Sequence, residues 1–190
     1  GTNKLGDTGD YRIIGNSTPR FKYGITLDAA WKGFDFSIFM QGIGKRDLWL
    51  DGCYFWGANG QGNEWQSTGF AEHWDFFRPE GDPLGANLNS YYPRVNFSGD
   101  RNTKVQTRYL QNGAYLRLKN VQLGYTLPRV WTEKAGISSV RVYVSGDNLA
   151  TITSLSKIFD PEATGSLAGT GSGKLYPLQR VISVGVNVNF

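Results

Sequence analysis

The sequence is poor in the residue types on which catalytic and metal-binding sites commonly depend. Among its 190 residues there is one cysteine, Cys53, and one histidine, His73. A single cysteine excludes an internal disulfide and every metal motif built on paired cysteines, and one histidine cannot supply a histidine-rich metal centre. No nucleophile signature accompanies either residue. We therefore expect no enzymatic activity, no cofactor and no metal.

Charge and long apolar runs are also scarce. Charged residues make up 19% of the sequence, and the net charge of +4 arises from scattered lysines and arginines. Nucleic-acid-binding surfaces need clustered basic residues, so this distribution argues against a nucleic-acid partner. No run of about 18 apolar residues is present, which excludes a transmembrane helix. The first residues contain no apolar signal-peptide core, so we expect a processed form or a part of a longer protein.

Glycine and aromatic residues are abundant instead. The sequence has 25 glycines, 6 tryptophans, 10 tyrosines and 11 phenylalanines. Aromatic residues favour strands, and glycines favour the turns between them. This composition predicts a β-protein with bands of aromatic rings.

Alternation of apolar and polar residues predicts five strands. They lie near 20–31, 34–42, 115–127, 139–147 and 180–190. The apolar side of the first consists of Phe21, Tyr23, Ile25, Leu27, Ala29 and Trp31. Rings at both ends flank aliphatic residues, as in strands that cross a bilayer between aromatic girdles in about 9–11 residues. The expected fold class is all-β, with antiparallel strands forming part of a large transmembrane β-barrel.

The connections between these strands differ in length. The pair Lys32-Gly33 predicts a tight turn, of the kind found on the periplasmic side of barrels. The segments 43–113 and 148–178 lack alternation, and we expect long extracellular loops there. Within 115–127 the apolar residues change parity near Lys119, which predicts a β-bulge or a strand passing between two environments.

The last strand has one apolar and one small or polar side. Its apolar side consists of Ile182, Val184, Val186, Val188 and Phe190. An aromatic residue closing such a strand is typical of outer-membrane barrels, although an ordinary sheet strand is an alternative interpretation. An unpaired strand edge is intolerable in lipid, so closure must be templated. We therefore predict that these five residues act as a barrel-assembly signal.

Several phrases resemble one known family in order along the chain. They are Asp10-Tyr11-Arg12-Ile13-Ile14-Gly15-Asn16-Ser17-Thr18-Pro19-Arg20, the segments 115–128 and 142–149, Asp160-Pro161-Glu162, and the closing strand to Phe190. Together they resemble the C-terminal part of SusC/RagA-type TonB-linked outer-membrane transporters. At about 10 residues per strand plus loops, 190 residues supply about a third of such a barrel.

The resemblance implies a bacterial outer-membrane barrel of about 22 strands surrounded by lipid, with an N-terminal plug. It further implies import of oligosaccharides, peptides or other large nutrients. The implied partners are a SusD-like surface lipoprotein and the TonB complex, the latter through an N-terminal region that this chain lacks. A soluble all-β carbohydrate-binding module is the alternative function, because alternation alone also fits a sandwich core.

The aromatic-rich first loop contains candidate ligand-binding residues. Tryptophan rings stack on the apolar faces of sugars, and neighbouring amides and carboxylates bind hydroxyls. On this basis Trp56, Trp65 and Trp74 are the candidates. The alternatives are rings that pack the loop and rings at the membrane interface, and these are favoured.

Two other patterns predict no binding site. Asp147, Asn148, Asp160 and Glu162 carry oxygen ligands, but their spacing matches no EF-hand and favours turns and loop caps. The glycine-rich run 165–174 lacks the spacing of a phosphate-binding loop, which favours a flexible loop.

Overall fold

A computed structural model of the chain describes residues 9, 11–60, 69–97, 101–163 and 176–190. The strands are β1 (Phe21–Trp31), β2 (Phe34–Gly44), β3 (Asp47–Leu48), β4 (Gln111–Asn112), β5 (Tyr115–Thr126), β6 (Ser139–Thr153) and β7 (Val181–Asn189). Two short helices, α1 (Cys53–Trp56) and α2 (Arg129–Thr132), lie in the connections. Three 3-10 turns accompany them at Ala71–Trp74, Thr107–Tyr109 and Glu133–Ala135. No helix in these ranges is long and apolar enough to span a membrane.

The five long strands form one antiparallel sheet in the order β1-β2-β5-β6-β7. This arrangement confirms the expected all-β class. The sheet is open, with β1 and β7 at its edges. The short strands β3 and β4 pair with each other just beyond β2 and β5. Lys32 and Gly33 make the tight β1–β2 turn, and both have positive φ, as a two-residue hairpin of this hand requires.

The strand registers give the sheet two chemically different faces. Paired residues share a face, so the Leu27–Ile38 and Ile38–Val121 pairs align three apolar residues across three strands. The apolar face consists of Phe21, Tyr23, Ile25, Leu27, Ala29, Trp31, Phe34, Phe36, Ile38, Met40, Leu116, Leu118, Val121, Leu123, Tyr125, Val140, Val142, Val144, Ala150, Ile152, Ile182, Val184, Val186 and Val188. The opposite, polar face includes Lys22, Thr26, Asp28, Asp35, Gln41, Arg117, Gln122, Arg141, Ser183, Asn187 and Asn189.

A β-bulge at Lys119 accounts for the parity change within β5. Phe39 pairs with Asn120 and Met40 pairs with Leu118, so Lys119 has no partner in the β2 register. The extra residue restores the phase, and the apolar residues before and after it share one face. The bulge, and not a change of environment, is therefore the correct interpretation.

Most strand bounds differ from the sequence prediction by one or two residues, and the end of β6 differs by more. β6 continues to Thr153, where the sequence predicted an end near 147. Asn148 has φ 52°, an uncommon conformation for a residue other than glycine, yet the alternation resumes at Ala150 and Ile152. The last strand begins at Val181 and ends at Asn189, so Phe190 follows it.

The buried core lies in the long connections and not against the sheet. It consists of Leu48, Leu50, Phe55, Trp56, Tyr92, Tyr109, Leu155 and Phe159, which we call the outer-loop core. Its rings meet edge to face, with centroids 4.8 Å apart for Trp56 and Tyr109 and 5.1 Å for Phe55 and Trp56. Such pairs are favourable beyond their buried area. The core leaves β1 uncovered, and every residue of that strand is exposed.

Candidate functional site

Both long connections leave the same edge of the sheet. β2 reaches β5 through residues 45–114, and β6 reaches β7 through residues 154–180. We call this row of strand ends the long-loop edge, which is distinct from the edge strands β1 and β7. The β1–β2 turn and the β5–β6 connection lie at the opposite, short-turn edge. The outer-loop core is formed by both long connections, so it stands at the long-loop edge.

Ion pairs fasten the second connection to the polar face of the sheet. Arg117 Nη2 lies 2.7 Å from Asp160 Oδ1, and Lys119 Nζ lies 3.0 Å from Glu162 Oε2. The side chains of Arg117 and Asp160 are 4% and 7% exposed, so water screens their attraction little. The two pairs fix residues 160–162 against β5.

Asp160 is the most heavily bonded carboxylate of this group. It accepts hydrogen bonds from Arg117 and from the backbone amides of Glu162 and Leu178. Burial raises the pKa of this carboxyl, but these bonds outweigh burial and hold the pKa below its ordinary value. Asp160 therefore remains ionised and joins β5 to both ends of the loop.

The four oxygen-bearing residues considered as a cation site have protein partners instead. Asp160 and Glu162 are paired with cationic side chains of β5. Asp147 accepts a hydrogen bond from Asn120 at 2.7 Å, and Asn148 donates one to the Gln179 carbonyl. In the parts of the chain that the structure describes, no group of three metal-ligating side chains occurs. The arrangement agrees with the loop-cap interpretation.

Arg117 and Lys119 were not among the residues predicted from the sequence to form a site. Each cation precedes its acidic partner by 43 positions in the chain. A usable signal was present, because Arg117 and Lys119 are two residues apart, as are Asp160 and Glu162. Matching two-residue spacings of opposite charge are compatible with two extended segments lying side by side.

The two long connections also contact each other directly. Ser156 donates a hydrogen bond to Glu72 at 2.9 Å, and the rings of Phe55 and Phe159 have centroids 6.3 Å apart. Leu155 and Phe159 contribute to the same buried core as Phe55. Residues 154–162 therefore join the first loop to the sheet.

The candidate tryptophans occupy different environments. Trp56 is 1% exposed within the outer-loop core, so no ring face is available for stacking and its interpretation as a ligand residue is not supported. Trp74 is 60% exposed, and Arg78 lies 5.5 Å from its ring centroid. Trp65 lies outside the described residues. Ligand binding at Trp74 and Trp65 stays a prediction.

The proposed assembly residues lie on the edge strand. Ile182, Val184, Val186 and Val188 are on the apolar face of β7, and Phe190 follows the strand, 89% exposed. The side of β7 that does not face β6 has no partner strand in the described part of the chain. Their role as a signal stays a prediction.

Sequence relatives decide the family. No family profile matches the chain. TonB-dependent receptor P3 of Formosa agariphila is 32% identical over 193 aligned residues, which cover 96% of this chain and 18% of the relative. The chain belongs to the family of TonB-dependent receptors. TonB-dependent receptor P26 of the same organism is 28% identical over the same share of both chains.

Solved structures place this receptor segment within the SusC/RagA type. It superposes on the RagAB peptide transporter with a TM-score of 0.71 and 27% identity, covering 94% of this chain and 18% of that one. The open-open state of the RagAB peptide importer gives a TM-score of 0.65 at 28% identity. These findings confirm the resemblance and the fold class, and they imply an outer-membrane location. The segment spans about 18% of the length of the relatives it matches.

Proposed function

We propose that this receptor segment forms part of the wall of a TonB-dependent importer of oligosaccharides or other large nutrients. The apolar face of the sheet would contact lipid and the polar face would line the lumen. The long loops would then lie at the extracellular mouth and the tight turns on the periplasmic side.

The observation that carries this proposal is a continuous apolar face without a covering layer. Ile182 and Val184 are 70% and 80% exposed, although they belong to an unbroken apolar surface across five strands. In a soluble sandwich a second sheet would bury this surface. No second layer covers it within the described residues. Lipid is the environment that suits such a face, which disfavours the soluble carbohydrate-binding module.

The open edges suggest how the segment joins the rest of the receptor. β1 and β7 each have one unpaired side among the described strands. We propose that further strands of the whole receptor pair with both edges. The apolar residues of β7 and Phe190 would then present the edge that the assembly machinery recognises.

The partners and ligands belong to the whole receptor. We propose a SusD-like lipoprotein at the long-loop edge and coupling to the TonB complex through regions outside this segment. The exposed ring of Trp74 is a candidate nutrient contact. Stacking of such a ring on a sugar or another planar group contributes binding energy without a specific hydrogen-bond pattern.

Uptake by the full-length receptor tests this function. Cells carrying the receptor would be given labelled oligosaccharides or peptides, with and without a functional TonB, and outer membranes would be tested for a heat-modifiable band. We expect TonB-dependent uptake that falls in Trp74→Ala, with a normal band. Leu84→Ala changes another exposed residue of the first loop and provides the control.

Two results would contradict the proposal. A receptor that fractionates away from the outer membrane would exclude the wall assignment. Uptake that continues without TonB would exclude energy coupling of this kind. Unchanged uptake in Trp74→Ala would remove only the ligand contact.

A further inference from the structure

A cavity of about 580 Å³ lies on the polar face of the sheet, beneath the start of the second long connection. Its wall includes Arg117 and Thr151 of the sheet and the segment 154–161. Its volume falls within the range of about 300–1,000 Å³ that is usual for small-ligand sites. If the polar face lines the lumen, the cavity opens beside the path of an imported nutrient.

The wall combines apolar surface with a few polar groups, as ligand sites do. Leu155, Ile158 and Phe159 provide apolar surface. Ser154 and Lys157 provide exposed polar groups at the mouth. Such a wall suits a ligand with one strongly polar end.

Arg117 has hydrogen-bonding capacity that the protein does not use. Its Nε donates to Thr151 Oγ1 at 2.8 Å, and its Nη2 donates to Asp160 at 2.7 Å. Its Nη1 is buried and has no acceptor in the described part of the chain. Buried donors without a partner are costly, so an oxygen-bearing partner would be favourable here.

The charges around the cavity favour an anion. Arg117 is balanced by Asp160, and Lys119 is balanced by Glu162. Lys157 forms no ion pair within the described residues. Glu72, which accepts a hydrogen bond from Ser156, offsets this charge in the total, so the local attraction for an anion comes from the unpaired amine of Lys157 and the unpartnered Nη1 of Arg117. A carboxylate meets both requirements, because it carries negative charge and accepts several hydrogen bonds.

We propose that this cavity is a carboxylate-binding subsite for the imported nutrient, an inference that rests on the proposed function. Lys157 attracts the carboxylate at the mouth. Arg117, which lies in the wall with Nη1 lacking a partner in the described part of the chain, donates hydrogen bonds to a carboxylate oxygen inside the cavity. The carboxylate belongs either to a peptide C-terminus or to an acidic sugar.

Paired probes on the purified full-length receptor test the subsite. Binding of fluorescent decapeptides with a free C-terminus would be compared with binding of the same peptides amidated. Oligogalacturonate would be compared with its methyl ester. We expect one of the two pairs to show a preference for the free acid of about tenfold, the usual scale for a hydrogen bond to a charged group.

Two substitutions test the residues. Arg117→Lys retains a charge for Asp160 but loses the spare guanidinium donors, and Lys157→Gln removes the charge at the mouth. Both should reduce the ratio of the affinity for the free acid to the affinity for the neutral probe. Arg129→Gln, at the short-turn edge, removes a positive charge far from the cavity and should leave the preference intact.

The outcomes distinguish this proposal from the proposed function. Nutrient uptake without any preference for the free acid would overturn the subsite alone. A preference that persists in both variants would also overturn it, since other residues would then bind the carboxylate. A free-acid preference that requires Arg117 and Lys157, in a receptor that imports nothing, would contradict the importer and leave the subsite standing.

Discussion

At the scale of single residues, the ring of His73 is held between two backbone groups of the first loop. Nδ1 accepts a hydrogen bond from the Phe70 amide at 3.0 Å, and Nε2 donates one to the Phe55 carbonyl at 3.0 Å. Both bonds together require the neutral ring, because a protonated Nδ1 cannot accept. Burial is the main cause that lowers the pKa of this imidazole below its ordinary value of 6.5.

This geometry predicts a pH-sensitive first loop. Above pH 6.5 His73 is neutral in both the folded and the unfolded loop, and its contribution is complete. As the pH falls below 6.5, the unfolded loop takes up a proton first, so the folded loop loses stability until its own lowered pKa is reached. Amide hydrogen exchange of the peptide containing Phe70 should be faster at about pH 5.5 than at about pH 7.5, after correction for intrinsic rates.

His73→Gln provides the matched control, because a glutamine amide can donate and accept but does not titrate. Exchange in this variant should no longer depend on pH beyond the intrinsic rate. Equal pH dependence in the wild type and in the variant would show that another group controls the loop.

The sequence could predict some of these residue roles and not others. His73 and Cys53 lacked the partners that chemistry needs, and that is visible locally. Trp56 and Trp74 could not be separated, because both lie among glycines and rings. The burial of Trp56 depends on Tyr109, which is distant in the sequence.

At the scale of elements, β5 carries one residue more than its neighbour β2 accommodates. Lys119 is the additional residue, and the residues on either side of it keep the apolar face continuous. Its amine also pairs with Glu162. The residue therefore has a backbone role and a side-chain role, which can be separated.

Deletion of Lys119 should prevent assembly of the full-length receptor. Without the bulge, one half of β5 would turn its apolar residues to the polar face, because a one-residue slip reverses every side chain. Lys119→Gln retains the residue and loses only the charge, so its barrel should form. The heat-modifiable fraction in outer membranes measures both. Normal assembly of the deletion would show that β5 can re-register without the bulge.

Strands were more predictable than loops for a physical reason. Alternation is a local property, and it indicates β1 from Phe21 to Trp31 without any knowledge of its partners. The continuation of β6 past Asn148 was not predicted. Asn148 has a left-handed conformation and interrupts the alternation, and an interruption of this kind indicates a loop in the sequence. The attachment of Asp160 to Arg117 joins segments 43 positions apart, and the matching two-residue spacing of opposite charges indicates it only weakly.

At the scale of the whole molecule, the proposed barrel makes neighbouring residues of β7 face different solvents. Val184 lies on the apolar face and Ser183 on the polar face, in the same strand and one residue apart. The family assignment and the uncovered apolar face both imply lipid on the side of Val184. In a soluble sandwich the side of Val184 would be buried against a second sheet, and no bilayer would be needed for the sheet to assemble.

Arginine at these two positions, measured by assembly in the outer membrane, therefore tests the assignment of the two faces. In a lipid-facing wall, Val184→Arg should cost about 2–4 kcal/mol, the penalty for a cation near the bilayer midplane, whereas Ser183→Arg should cost little. The assembled, heat-modifiable fraction of the full-length receptor in outer membranes should fall several-fold for Val184→Arg and remain near wild type for Ser183→Arg.

Because β7 is also the proposed assembly edge, Val144→Arg on the neighbouring strand β6 distinguishes the lipid penalty from a loss of edge recognition. Val144 pairs with Val184 on the same face but does not lie at the edge. A loss in both valine variants indicates lipid on this face, and a loss only in Val184→Arg indicates recognition of the edge. Equal tolerance of all three substitutions would contradict a lipid-facing wall.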